Sequence, residues 1–176
     1  MQEISPHDIN SFKIASCDDE YSKKMDREKL SDILDEIGNL LELKGENPFK
    51  ARAYYNAARL VREGDMKPGE LLENGRLRSM PGIGEALSKK ITELVRTGRL
   101  AYHERLKDSI PESMITIMKI PGIGPRRAYT VCQKLGIENV DDLESACRDG
   151  RILSFRGFDE NIVQSIIEYI ERMRES

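Results

Sequence analysis

Met80-Pro81-Gly82-Ile83-Gly84 returns 40 residues later as Ile120-Pro121-Gly122-Ile123-Gly124. Two glycines one residue apart, behind a proline and ahead of a helix, permit positive φ and a tight reversal between helices. With no side chains at Gly82, Gly84, Gly122 and Gly124, a ligand can come close to the backbone. The unpaired N–H groups at the start of the following helix then offer partial positive charge to a phosphate. Ile83 and Ile123 are expected to pack inward and anchor each turn. Lys89 and Lys90 follow the first copy, and Arg126 and Arg127 follow the second. A lone loop of this kind is usually only a turn. Two copies with cations behind them read as helix-hairpin-helix elements, which hold a nucleic-acid backbone without reading its bases.

A third copy, Phe155-Arg156-Gly157-Phe158-Asp159, is damaged. It has a preceding match as well: Gly75-Arg76-Leu77 lies seven residues before Gly82, and Gly150-Arg151-Ile152 lies seven before Gly157. Asp159 puts a carboxylate where phosphate would sit, so this copy reads as structural, with Asp159 as a helix N-cap. The remaining chemically capable residues read more plainly. Asp141, Asp142 and Glu144 suit a helix start, where acids face the macrodipole. Asp32, Asp35 and Glu36 decorate the polar face of the first helix, and His103 is expected at the surface. Cys132, Cys147, Met114 and Met118 fall at helical positions that suggest packing.

The elements that must position these loops are all helical. Leu30, Ile33, Leu34, Ile37, Leu40 and Leu41 recur at three- and four-residue spacing from Asp26 onward, and Gly45 ends that run. Asn47-Pro48 gives a cap and a first-turn proline for the next helix, which Gly64 closes. Pro68 opens a short helix ending near Gly75. Further helical segments centre on 87–95, 102–107, 114–118, 128–135, 143–147 and 162–170, and no stretch alternates with period two for long enough to be a strand. The expected fold is all-α, in two small units over 25–104 and 105–174, with residues 1–24 as a mobile tail.

Composition narrows the rest. The 176 residues are 39% hydrophobic, 34% charged and 6% aromatic, without Trp. No apolar run is long enough to span a membrane, and the N-terminus lacks a secretory h-region. Three separated cysteines and two histidines offer neither a disulfide framework nor a zinc site, which points to a reducing cytoplasm. The net charge of −3 hides an asymmetry. Residues 1–47 carry 6 basic and 12 acidic residues, 48–140 carry 17 and 10, and 141–176 carry 5 and 9. A basic middle between acidic ends suits a polyanion-binding surface.

The run Leu40-Leu41-Glu42-Leu43-Lys44-Gly45-Glu46-Asn47-Pro48-Phe49-Lys50-Ala51-Arg52-Ala53-Tyr54, followed by Asn56-Ala57-Ala58-Arg59, resembles the start of bacterial and archaeal family X DNA polymerases. So do both Pro-Gly-Ile-Gly loops and Gly98-Arg99-Leu100 between them. The resemblance covers about residues 27–170. It implies a lyase-type domain that holds the 5′-phosphate side of a DNA gap, followed by a helical subdomain that grips the duplex. Residue by residue, it places Lys90 at a Schiff-base lysine, Lys50 and Arg78 at positions binding the 5′-phosphate, and Tyr54 in the lining of that pocket. Ala86 stands where lyase-active animal members carry another phosphate-binding lysine. The resemblance also implies a potassium or sodium ion between hairpin carbonyls (Met80 and Gly82; Ile120 and Gly122) and a phosphate oxygen. No other cofactor is expected.

A Schiff-base lysine must be neutral to attack an aldehyde, so burial or neighbouring cations must lower its pKa. Lys90 lies beside the apolar stripe of Leu87, Ile91 and Leu94, next to Lys89. Lys50 and Arg78, if brought near, would add two more cations. The palm and phosphoesterase regions of the family have no counterpart here, so polymerisation by that mechanism is not expected. The expected function is sequence-nonspecific binding of gapped or nicked DNA in repair, in a bacterial or archaeal cytoplasm. No membrane or small-molecule substrate is expected. Two alternatives stay open: a 5′-deoxyribose-phosphate lyase using Lys90, and an adaptor that docks a separate polymerase or repair protein through its acidic first helix or C-terminal segment.

Overall fold

Helix α1 (Arg27–Leu43) starts behind Asp26, whose side chain accepts from the Lys29 N–H at 2.7 Å. The computed structural model describes residues 25–175; the expected tail over 1–24, with His7 and Cys17, lies outside the described residues. Asn47 caps α2 (Pro48–Glu63) by accepting from the Phe49 N–H at 3.0 Å. There follow α3 (Pro68–Leu71), a 3-10 turn (Glu73–Gly75), α4 (Arg76–Ser79), α5 (Glu85–Thr97), α6 (Ala101–Asp108) and α7 (Glu112–Lys119). The chain continues through α8 (Gly124–Leu135), α9 (Val140–Arg148), a second 3-10 turn (Arg151–Ser154) and α10 (Glu160–Glu175). The fold is all-α, with no strand among the described residues.

The single short helix expected from Pro68 to near Gly75 is two pieces, α3 and the 3-10 turn, with α4 following them. Gly75 takes φ +69 between the 3-10 turn and α4. That left-handed residue breaks the axis, so α4 can lead into the first hairpin on a new heading.

Helix α1 is the centre of the molecule. Its buried stripe, Leu30, Leu34, Ile37, Leu40 and Leu41, faces α2, and Gly38 lets the two approach closely: a Cβ there would meet the Tyr55 ring at 2.5 Å. Tyr55 also donates its hydroxyl to Asn39 Oδ1 at 3.0 Å. Asp32, Asp35 and Glu36 of α1 are engaged within the fold. Arg62 reaches Asp35 at 2.7 Å and Asp32 at 3.4 Å. Glu36 takes Lys107 at 3.2 Å and lies 3.0 Å from His103 Nε2. His103 is therefore half-buried against α1, not a surface residue as its helix-start position suggests.

Helix α1 also packs on α8, and the turn after α1 meets it: Tyr129 lies where a Cβ on Gly45 would be, at 2.5 Å. Buried residues from Met25 to Ile170 consequently form one core. Met114 and Met118 are half-buried against it, and Ile117 between them is fully covered. At the C-terminal end α9 and α10 are joined by ion pairs. Arg148 contacts Glu144 at 2.6 Å and Glu171 at 2.7 Å, and Arg174 contacts Glu144 at 2.6 Å and Asp141. Of the acids read as a helix start, Asp141 and Glu144 thus fasten two helices together, while Asp142 accepts from the Glu138 N–H at 3.1 Å. Asn139 supplies the cap, accepting from the Asp142 N–H at 2.9 Å.

Candidate nucleic-acid interface

The first hairpin runs from α4 through Met80–Gly84 into α5. Ile83 is buried and its N–H closes the turn on the Met80 carbonyl at 3.1 Å. Behind the loop, Asn56 of α2 donates to the Pro81 carbonyl at 2.8 Å, and a Cβ on Gly82 would come within 2.7 Å of that amide nitrogen. Gly84 is different. Its φ of −77° suits any residue, and a Cβ there would meet nothing within 4 Å. Arg78 and Lys89 flank this loop, and both reach Glu85, at 3.6 and 2.9 Å.

The second hairpin closes in the same way, with the Ile123 N–H on the Ile120 carbonyl at 3.0 Å. Its loop is backed by α10 instead of α2: a Cβ on Gly122, at φ +89°, would lie 3.3 Å from Ile162 Cγ2. A Cβ on Gly124 would point into open space. Arg126 is exposed, beside the cleft that Glu42, Glu46 and Tyr129 line between the α1–α2 turn and α8. Arg127 is turned inward. Its Nη1 donates to the Gly122 carbonyl at 2.6 Å, and its guanidinium lies 5.7 Å from the Phe158 ring centroid. Phe158 is the buried anchor of the third hairpin, where Asp159 caps α10 by accepting from the Ile162 N–H at 2.9 Å. Arg127 therefore ties the second hairpin to the third rather than facing outward. Its guanidinium also stands on one of the carbonyls expected to hold a monovalent cation.

A second cluster forms where α2, α5 and α6 meet. Tyr54 is buried, and its ring stacks nearly parallel on Tyr102, with centroids 6.4 Å apart. Lys90 donates to the Tyr54 hydroxyl at 3.0 Å and holds its Nζ 3.7 Å from the Tyr102 centroid. Lys50, one turn before Tyr54 on α2, places its Nζ 5.9 Å from the same ring and 3.4 Å from Glu46. Burial first, and then the charge of Lys50, lower the pKa of Lys90, with Glu93 acting the other way. Burial also works against the charge on Lys50, but Tyr102 and Glu46 outweigh it and raise that pKa. Of the cations expected around Lys90, the fold brings Lys50. Arg78 and Lys89 go to Glu85 instead.

The other candidates offer little chemistry. Burial, followed by Glu144 and Asp149, pushes the Cys147 thiol up to about 11, and burial raises that of Cys132. A thiol so shifted is a poor nucleophile. Among the described residues no group of His, Cys, Asp and Glu could hold a metal ion, and no helix is long and apolar enough to cross a membrane.

Residues 25–100 match a family model described as a helix-hairpin-helix domain, and residues 114–172 one described as a SAM-like helix-hairpin-helix tandem. Two separate stretches of the chain therefore carry helix-hairpin-helix domains. It is 27% identical over 144 residues to the DNA polymerase/3'-5' exonuclease PolX of Bacillus subtilis, covering 82% of this chain and 25% of that protein. It is 25% identical over 134 residues to DNA polymerase lambda of Arabidopsis thaliana, covering 74% and 24%. Both relatives are family X DNA polymerases. A third relative is the ATP-dependent DNA helicase Hel308 of Pyrococcus abyssi, 24% identical over 182 residues, covering 96% and 24%. The chain spans about a quarter of the length of these curated relatives. Tyr102 is the pocket residue that sequence reading missed. It lies two residues after the Gly98-Arg99-Leu100 run, and the left-handed turn at Gly98 (φ +70°) sets the heading on which α6 leaves α5.

Proposed function

We propose that the protein binds gapped or nicked DNA without sequence preference, in repair, through phosphates. The two intact hairpins grip the backbone, and the Lys50–Lys90 pocket receives a 5′-phosphate. The observation that carries this reading is the open space beyond Gly84 and Gly124, on loops fixed from behind by Asn56 and by α10. Bare glycine facing solvent on a rigid turn serves a ligand that approaches the backbone. The similarity to two DNA polymerases and a DNA helicase supports DNA as that ligand. Gly84→Val tests it, because the backbone there suits a non-glycine residue and a Cβ meets nothing within 4 Å. We expect an unchanged melting temperature and a fall of about tenfold or more in affinity for a gapped duplex. The salt dependence should also become shallower, by about 0.9 in slope for each phosphate no longer neutralised. Unaltered affinity would remove the hairpin from the interface.

The lowered pKa of Lys90 favours a second reading, a 5′-deoxyribose-phosphate lyase. The free amine would attack the C1′ aldehyde and expel water to form an imine. Loss of a C2′ proton would then release the 3′-phosphate oxygen, and hydrolysis would return the lysine. A borohydride-trapped adduct that disappears in Lys90→Ala, while DNA is still bound, supports the lyase. A gel shift with no adduct leaves a binding module.

A further inference from the structure

Tyr102 is the side chain that touches both pocket lysines. Its ring lies under Lys90 Nζ at 3.7 Å and has Lys50 Nζ 5.9 Å from its centroid. The parallel stack on buried Tyr54 fixes the ring plane. An ammonium this close to an aromatic face is well inside the range of about 6 Å over which the ring quadrupole attracts a cation, and the attraction grows as water is excluded. The groups facing Lys90 can be named helix by helix: Tyr54 and Lys50 from α2, Glu93 from its own α5, and Tyr102 from α6. Burial and Lys50 favour the free amine. Glu93, the Tyr54 oxygen and the Tyr102 face favour the ammonium. Among those three, only Tyr102 also engages Lys50.

We propose that Tyr102 is the positioning residue of this pocket: its ring face keeps Lys90 an ammonium and holds Lys50 beside it, so the pair takes up a terminal phosphate dianion. The proposal rests on the reading of the pocket as a 5′-phosphate site. It adds that Lys90 serves as a phosphate clamp and is held back from aldehyde attack as long as Tyr102 is present. A dianion bridging the two lysines also relieves their mutual repulsion, which a monoanionic internal phosphodiester does only in part. The pocket therefore selects strand ends over continuous backbone.

The test uses the whole chain with Tyr102→Leu, Tyr102→Phe and Tyr102→pentafluorophenylalanine. The last keeps the ring's shape and reverses its quadrupole, so it tests the proposal even if the leucine variant fails to fold. The first measurement is the titration of 13C-methylated lysines by NMR, with the Lys90 signal assigned by Lys90→Arg. Its midpoint is expected to fall in the leucine and pentafluoro variants and to stay with the wild type in Tyr102→Phe. Borohydride trapping of a 5′-deoxyribose-phosphate duplex at about pH 7 should run about tenfold faster in the leucine and pentafluoro variants, the scale of a desolvated cation–π contact. The second measurement compares gapped duplexes ending in 5′-phosphate or 5′-hydroxyl. The wild type should prefer the phosphate, and the pentafluoro variant should lose that preference. An unmoved Lys90 midpoint in the pentafluoro variant overturns the role of Tyr102, whatever the DNA results. A moved midpoint in a protein that never distinguishes the two ends overturns the phosphate site itself, and with it the ligand assigned here.

Discussion

The first and second hairpins share a five-residue pattern and the same closing hydrogen bond, yet they are built into the molecule differently. The first is backed by one amide, Asn56, and its flanking cations lean on an acid of the loop's own helix, Glu85. The second is backed by a whole helix, and one of its two arginines is used to fasten the third hairpin. Repetition in sequence thus specifies a repeated turn, while the neighbours decide which cations remain on the outside. The third hairpin extends the lesson. With Asp159 capping α10, it keeps the buried anchor and the reversal and serves as the partner on which the second is mounted.

The largest effect that could overturn this contrast is expected from Gly122→Val. The substituted residue would be strained at φ +89° and crowded by Ile162, so we expect a destabilisation of about 3 kcal/mol in a urea melt. Gly84→Val in the other loop, where the backbone is unstrained and the space is open, should change stability by less than about 0.5 kcal/mol. Equal destabilisation at both would mean that the two loops are backed alike. Next comes Arg127→Met, which removes the bond to the Gly122 carbonyl and the contact with Phe158 and should cost about 1–2 kcal/mol of stability. It should leave the salt dependence of DNA binding unchanged, whereas Arg126→Met should flatten that slope by about 0.9 without affecting the melt. The reverse pattern would return Arg127 to the interface.

A smaller effect separates the C-terminal hairpin from the first by pH. Hydrogen bonds from Arg148 and then Arg174 hold the Glu144 carboxyl below its ordinary range, against the burial that works the other way. A carboxylate lowered in the folded state contributes stability above its unfolded pKa, and that stability is lost as pH falls through the folded one. The melting temperature should therefore decline on acidification below the usual glutamate range, and Glu144→Gln should blunt the decline. The identical profile in both proteins would exclude Glu144 as its source. The smallest change is expected from Glu85→Gln, which releases Arg78 and Lys89. Affinity for duplex DNA should rise about two- to threefold at low salt and converge with the wild type as salt screens the difference. A fall would mean that Glu85 orients these cations for DNA.

Local signals were legible in the sequence wherever the physics is local. Asp26, Asn47-Pro48 and Asp159 were readable as helix starts because a cap needs only its own first turn. The inward Ile83 and Ile123 followed from the loop pattern alone. The break at Gly75 was harder to see, since a glycine after Pro68 fits the end of a helix as well as a bend between two. The pocket was only half legible. Lys50 and Tyr54 share a face of α2 by their spacing, but what stands over them depends on how α5 and α6 return.

Residue types and spacings of a few positions are enough to specify an all-α chain, its three turns in order, and the division of charge that makes the middle of the chain basic. Which side chains the turns leave exposed follows instead from packing. Packing sent Arg127 to a carbonyl and Arg78 and Lys89 to Glu85, engaged Asp32, Asp35 and Glu36 within the fold, and set Tyr102 beneath Lys90. The meetings of Lys90 with Tyr102 and of Lys50 with Tyr102 need three helices to come together. Their spacing in sequence carries no trace of it, because the shared apolar stripes of α2 and α5, and the left-handed turn at Gly98, bring those side chains to one place.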